Sequence, residues 1–187
     1  MFLDLGAGII IAILTSHFAN VELSFTLIFF SVFFTIIPDM DFLYFYPKRH
    51  DTKYDHKHRD IIHYPLLYLP IGTILFWFLL GEIWALVFFT ASFFHFFHDS
   101  IGIGWGIKWL YPFSKNNYSF LYLYSRKIKK GLRRPIFVFT EKKLPDMVRE
   151  HGDPDWVRNI YYKWHPIAIF EFGGFVFSLI LLYLYLK

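Results

Sequence analysis

Five apolar, aromatic-rich runs, separated by stretches that carry nearly all the charge, constrain this chain more than any other feature. They span roughly Leu5–Ala19, Leu23–Ile37, Ile62–Leu80, Ile83–His98 and Pro166–Leu186. A helix crossing a bilayer needs about 20 residues at roughly 1.5 Å each to cover a hydrocarbon core of about 30 Å. The last three runs are long enough. The first two reach that length only with the flanking residues Phe2 to Leu5 and Asn20 to Leu23, which leaves a shallow or partly re-entrant pair as the alternative. Hydrophobic residues make up 56% of the chain and aromatic residues 24%. A soluble domain is closer to half apolar and poorer in aromatics. The expected fold class is therefore all-α, a polytopic membrane helix bundle of about five transmembrane helices. The cytoplasmic loop region is expected to be mainly irregular or short-helical.

Asn20-Val21-Glu22 and Leu80-Gly81-Glu82 are tight enough to be helical hairpin turns. The other connections, Pro38 to Asp60 and Ser100 to His165, are long and charged. Three parts follow: a helical core over 1–113, a basic loop region over 114–163, and a last transmembrane helix over 164–187. Pro135, Pro145 and Pro154 break the middle part into short elements, with one or two amphipathic helices expected there. Lys48, Arg49, Lys53, Lys57 and Arg59 lie in the first long connection and thirteen more basic residues in the second, with none in either hairpin turn. The positive-inside rule then makes the face bearing both long loops cytoplasmic. The compartment expected is the inner membrane of a prokaryote. No cleavable signal peptide is evident. The basic run Arg126 to Arg134 suits anionic lipid headgroups, so membrane lipids are expected partners and nucleic acid is not. Trp156, Tyr161, Tyr162 and Trp164 read as an interfacial belt before the last span. Gly173-Gly174 allows close helix approach within it.

This topology brings separated polar residues to one membrane surface: Asp39 and Asp41 after the second run, His58 and His63 before the third, His95 and Asp99 closing the fourth. His95 and Asp99 are four apart and share a helical face. Asp39 and Asp41 follow a proline, so a loop can aim both at one ion. His58 and His63 fit together if His58 lies in the preceding loop and His63 in the first helical turn. Imidazoles mixed with carboxylates suit zinc, manganese or iron better than calcium or magnesium. With no cysteine in the chain, thiolate sites and disulfides are excluded. Six donors exceed one zinc shell, which leaves two metals, or one metal plus a general base. The simpler readings stand beside these: a helix-end ion pair for His95 and Asp99, solvation of the helix exit for Asp39 and Asp41, loop residues for His50 and His56, an interfacial residue for His17. Asp4, His98, His165 and Glu171 lie near enough to join. Glu171 is an intramembrane carboxylate, a costly placement that suggests a role.

These motifs resemble the YdjM-like membrane-bound proteins, a family described as metal-dependent hydrolases. The matching residues are Pro38-Asp39-Met40-Asp41, His58-Arg59-Asp60-Ile61-Ile62-His63 and His95 to Asp99, then Gly102 to Gly106 and Trp109-Leu110-Tyr111-Pro112, over roughly residues 1 to 113. The family usually has a His near the start of its first span, where this chain offers only Asp4. The site is thus one imidazole short, or has Asp4 in its place. Ile62 and Tyr64 replace the family's small hydroxyl residues. The resemblance implies a membrane-bound metal-dependent hydrolase. Asp39, Asp41, His58, His63, His95 and Asp99 would form the shell of a divalent metal, zinc first and manganese or iron next. Asp39 or Asp41 would serve as general base, and Arg59 would meet developing negative charge. A site at headgroup depth suggests a lipid or phosphoester substrate. The alternative is a non-enzymatic membrane protein with a structural metal or polar cluster.

Overall fold

The computed structural model describes residues 2–40, 62–128 and 131–187. All five apolar runs are helical: α1 (Phe2–Ala19), α2 (Phe25–Ile36), α3 (Pro65–Leu80), α4 (Glu82–Asp99) and α6 (Pro166–Tyr185). Between the last two lie β1 (Ile101–Gly102), β2 (Asn117–Leu123), β3 (Leu132–Phe139), the short helix α5 (Leu144–His151) and a π-helical turn, Arg158–Tyr162. The chain divides into two compact units: 1–38, 69–95 and 157–187 form one, and 39–68 and 96–156 the other.

The first unit is built on close helix approach. A Cβ on Gly8 would lie 2.5 Å from Val32 Cα on α2, and one on Gly6 3.0 Å from Phe175 Cα on α6. Small residues on opposite faces of α1 thus let two helix backbones come within van der Waals reach, the packing that serves where lipid removes any hydrophobic drive between helices. Leu3 meets Gly174, and the Ser16 hydroxyl meets that of Tyr185 at 3.1 Å, so α1 and α6 run parallel. Of the glycine pair in α6, only Gly174 makes the close approach; Gly173 faces open space. The rings of Phe34, Phe76 and Phe88, with centroids 4.7–5.3 Å apart, tie α2, α3 and α4 together. Both hairpin turns form where expected. Ser24 caps α2 by accepting from the Leu27 amide at 3.2 Å, and Gly81 turns the chain with φ 92°, a conformation glycine adopts without a Cβ penalty.

Among the described residues, only α1 and α6 are both long and apolar enough to cross a membrane. The expectation of about five spans is not supported. The helices at the second and third runs have 12 and 16 residues, roughly 18 and 24 Å at about 1.5 Å per residue. In α4, Glu82, His95, His98 and Asp99 dilute an otherwise apolar 18-residue helix.

The second unit corrects the all-α expectation. It holds a three-stranded sheet in the order β1-β2-β3, with β1 parallel and β3 antiparallel to β2. The physical reason is legible: Asn117–Phe120 and Ile136–Phe139 alternate inward and outward residues, and both strands are rich in aromatic and branched side chains. Leu123, Phe137 and Phe139 pack with Leu144 of α5, the one amphipathic helix that forms among the described residues of the loop region. Gly106 is required where it stands: its φ is 68°, and a Cβ there would fall on the Tyr118 carbonyl.

Gly8→Val should cost about 1–3 kcal/mol by overpacking against α2. Gly173→Ala should be neutral or stabilising by up to about 1 kcal/mol. Thermal unfolding of both variants in one detergent checks the pair.

Candidate metal centre

Each donor is placed by its own element. The α2 helix tightens into a 3₁₀ turn, Ile37–Asp39, and Asp39 is its last residue. Asp99 is the last residue of α4, with His95 one turn earlier on the same helix. His63 sits two residues before α3, not in its first turn, because α3 opens at Pro65 and the residue before a proline disfavours the helical region. The His63 side chain is fully buried. Its Nε2 stands 3.2 Å from Asp99 Oδ2 and 3.6 Å from Asp39 Oδ1. One atom each from Asp39, His63, His95 and Asp99 lies within 4.8 Å of the others. Asp41, His58 and Arg59 lie outside the described residues.

The electrostatics of this group ask for positive charge. Asp99 stands at the C-terminus of α4, where the macrodipole is negative and a carboxylate is disfavoured, whereas the chain runs on from Asp39 into helix at Met40. Both carboxylates aim oxygens at one imidazole nitrogen. Either that imidazole carries a proton, or a cation stands between the three atoms. Donors about 2.0–2.1 Å from a tetrahedral zinc are about 3.3–3.4 Å from each other. The two His63 distances bracket that spacing, so the residues present fit a divalent ion.

The motifs around the donors hold them in place. Beyond Asp99, the Ser100 hydroxyl donates to the Phe96 carbonyl at 2.8 Å and accepts from Trp109 Nε1 at 2.7 Å. The Ser100 carbonyl accepts from the Phe120 amide at 2.6 Å and the Ser119 hydroxyl at 3.0 Å. The end of α4 is thereby pinned to β2. Tyr111 stacks on Tyr64, next to His63, at 4.2 Å between centroids, and the Phe96 ring meets His63 edge-on. Trp109 and Tyr111 thus act as supports, a role that motif matching alone left unassigned.

Among the undecided neighbours, Asp4 is the informative one. It is 2% exposed, and its Oδ1 lies 3.5 Å from His95 Nδ1. Its main-chain carbonyl accepts from the Thr35 hydroxyl at 2.9 Å. In the first turn of α1 its negative charge is favoured by the helix dipole. His98 is in the last turn of α4 but not in the group of four. His165 caps α6, its Nδ1 accepting from the Ile167 amide at 3.3 Å, and burial lowers its pKa below the ordinary histidine range. Glu171 is buried and accepts the Tyr161 hydroxyl at 3.0 Å on both oxygens. Tyr161 therefore serves a carboxylate, whereas Tyr162 and Trp164 are exposed as an interfacial belt would be. His17 is exposed beside Phe18.

Two helices apolar enough to span a bilayer, together with four His and Asp side chains able to hold an ion, fit a membrane protein with a candidate metal centre. The family model described as YdjM inner membrane protein matches residues 4–186, and the chain belongs to that family. The match extends well past the motifs near residue 113, so the sheet and α6 belong to the shared body. No curated protein and no solved structure matches the chain.

Purified protein should bind a divalent ion, and His63→Ala or Asp99→Asn should abolish it, measured by elemental analysis after dialysis. Asp4→Asn should weaken the affinity about 10–100-fold, the usual effect of losing a carboxylate behind a ligating histidine.

Proposed function

We propose that the chain is a membrane-bound metal-dependent hydrolase whose His/Asp centre faces the cytoplasm and acts on a lipid or other phosphoester. The observation that carries this reading is the convergence of two carboxylates, Asp39 and Asp99, on one nitrogen, Nε2, of the buried His63 side chain. Zinc suits the donor set best, with manganese or iron as substitutes. A divalent ion held there would supply a water of lowered pKa and a Lewis acid for the scissile group. The chain's own residues divide the remaining work. His63 and His95 are fully buried, so they hold position and exclude solvent. The Asp39 side chain is 34% exposed, which suits a carboxylate that must exchange a proton with water. Asp41 and His58 would complete the donor set, and Arg59 would meet charge developing on a phosphoryl oxygen.

The cytoplasmic orientation rests on the distribution of Lys and Arg, concentrated in the two long connections. Helix order supports a shared face, because the parallel α1 and α6 begin on the same side. In this reading all five apolar helices lie in the bilayer, and the shorter ones are accommodated by local thinning.

A second reading has one observation in its favour. Asp4, His63 and His95 are almost wholly buried, as befits a polar or metal cluster that stabilises the bundle without catalysis. Asp39→Asn separates the two. As an enzyme, the zinc-loaded variant should stay folded and lose about 10²–10⁴-fold in turnover of phosphomonoester, phosphodiester and lysophospholipid probes in micelles. Wild-type protein that is folded and zinc-loaded yet inert toward all three probes would sink the hydrolase reading in favour of the structural one.

A further inference from the structure

The β2–β3 hairpin has a second face, covered by Phe97 and Trp109 where Phe120 stands and open along β3. Phe137 and Phe139 point into the core, so Ile136 and Val138 point out, and they are 56% and 51% exposed. Register sets Val138 beside Tyr118 and Ile136 beside Phe120, which makes a continuous apolar strip. β3 is an outer strand of the sheet. At its start stand Arg133 and Arg134, both exposed, and on the chain leaving β2 stand exposed Arg126 and Lys127. Lys127 is paired with Glu150 at 2.9 Å, whereas Arg133 and Arg134 enter no ion pair among the described residues.

An outer strand with exposed branched residues is a liability unless something covers it. A second copy pairing antiparallel about the middle of β3 would set Val138 and Phe137 opposite Arg133 and Arg134, which leaves the guanidinium groups no anionic partner. The same guanidinium groups favour an anionic partner. The chain is a member of an inner membrane family with two helices able to span, so phospholipid headgroups are always close at hand. Each juxtamembrane cation contributes to attraction toward anionic headgroups, and the apolar strip offers shallow insertion between them, as on an amphipathic surface helix.

We propose that the outward face of the β2–β3 hairpin is a docking surface for anionic phospholipid, with Ile136 and Val138 entering the headgroup layer and Arg133 and Arg134 binding its phosphates. This is independent of the metal centre.

The absence of cysteine makes the test clean. Full-length Ile136→Cys and Val138→Cys proteins would carry a nitroxide label in nanodiscs of phosphatidylcholine alone or with phosphatidylglycerol. Both positions are exposed, so the labels should not disturb folding. The expected result is high collision with oxygen and low collision with a water-soluble nickel chelate in the anionic discs. Added Arg133→Glu and Arg134→Glu changes should reverse that ratio by several-fold. Labels equally open to the nickel reagent in both lipids would overturn the proposal. So would spin–spin broadening in discs loaded with two proteins each, which would mean that a second copy covers the strip.

Discussion

Two carboxylates, Asp39 and Asp99, are held against one buried imidazole, and the backbone opposes one of them. Asp99 closes α4, so it adds negative charge to the negative end of a helix. A helix end of this kind ordinarily carries Lys, Arg or His. The arrangement is tolerable because both oxygens reach His63, a side chain wholly removed from solvent. Much of the surrounding structure serves that contact. Ser100 ties the residue after Asp99 to β2, Tyr111 lies flat on Tyr64 beside His63, and Phe96 backs the imidazole.

The helical unit solves a different problem. Bilayer lipid gives apolar side chains no reason to prefer each other, so helices must gain from shape. Gly6 and Gly8 on α1 provide it by admitting α6 and α2 to backbone contact, and the Phe34, Phe76 and Phe88 rings extend the packing to α3 and α4. Asp4 begins the same helix. Its position beside His95 is therefore fixed by glycine contacts further along α1 and by the Thr35 hydroxyl behind its carbonyl.

Helix positions were legible because each apolar run is long and bounded by charge or by a turn residue such as Gly81. Their span lengths were less so. Hydropathy does not register that α2 gives way to a 3₁₀ turn at Ile37, or that Pro65 moves the start of α3 past His63. The sheet is hard to see in the sequence because Pro135 suggests a break between short helices, yet proline is tolerated on an outer strand, which is where it lies. At the site, the four-residue spacing of His95 and Asp99 sufficed to pair them on one face. No local spacing links Asp4 to His95 or Tyr161 to Glu171, since these meetings depend on how helices and turns pack in three dimensions.

The donors Asp39, His63 and Asp99 come from three segments well separated along the chain. A cation shared among them would close two large loops at one point and remove much of the freedom those loops have in the unfolded chain. In a protein with no cysteine, such an ion would do for the fold what a disulfide staple does in secreted proteins, with the difference that a chelator could undo it and a salt solution restore it.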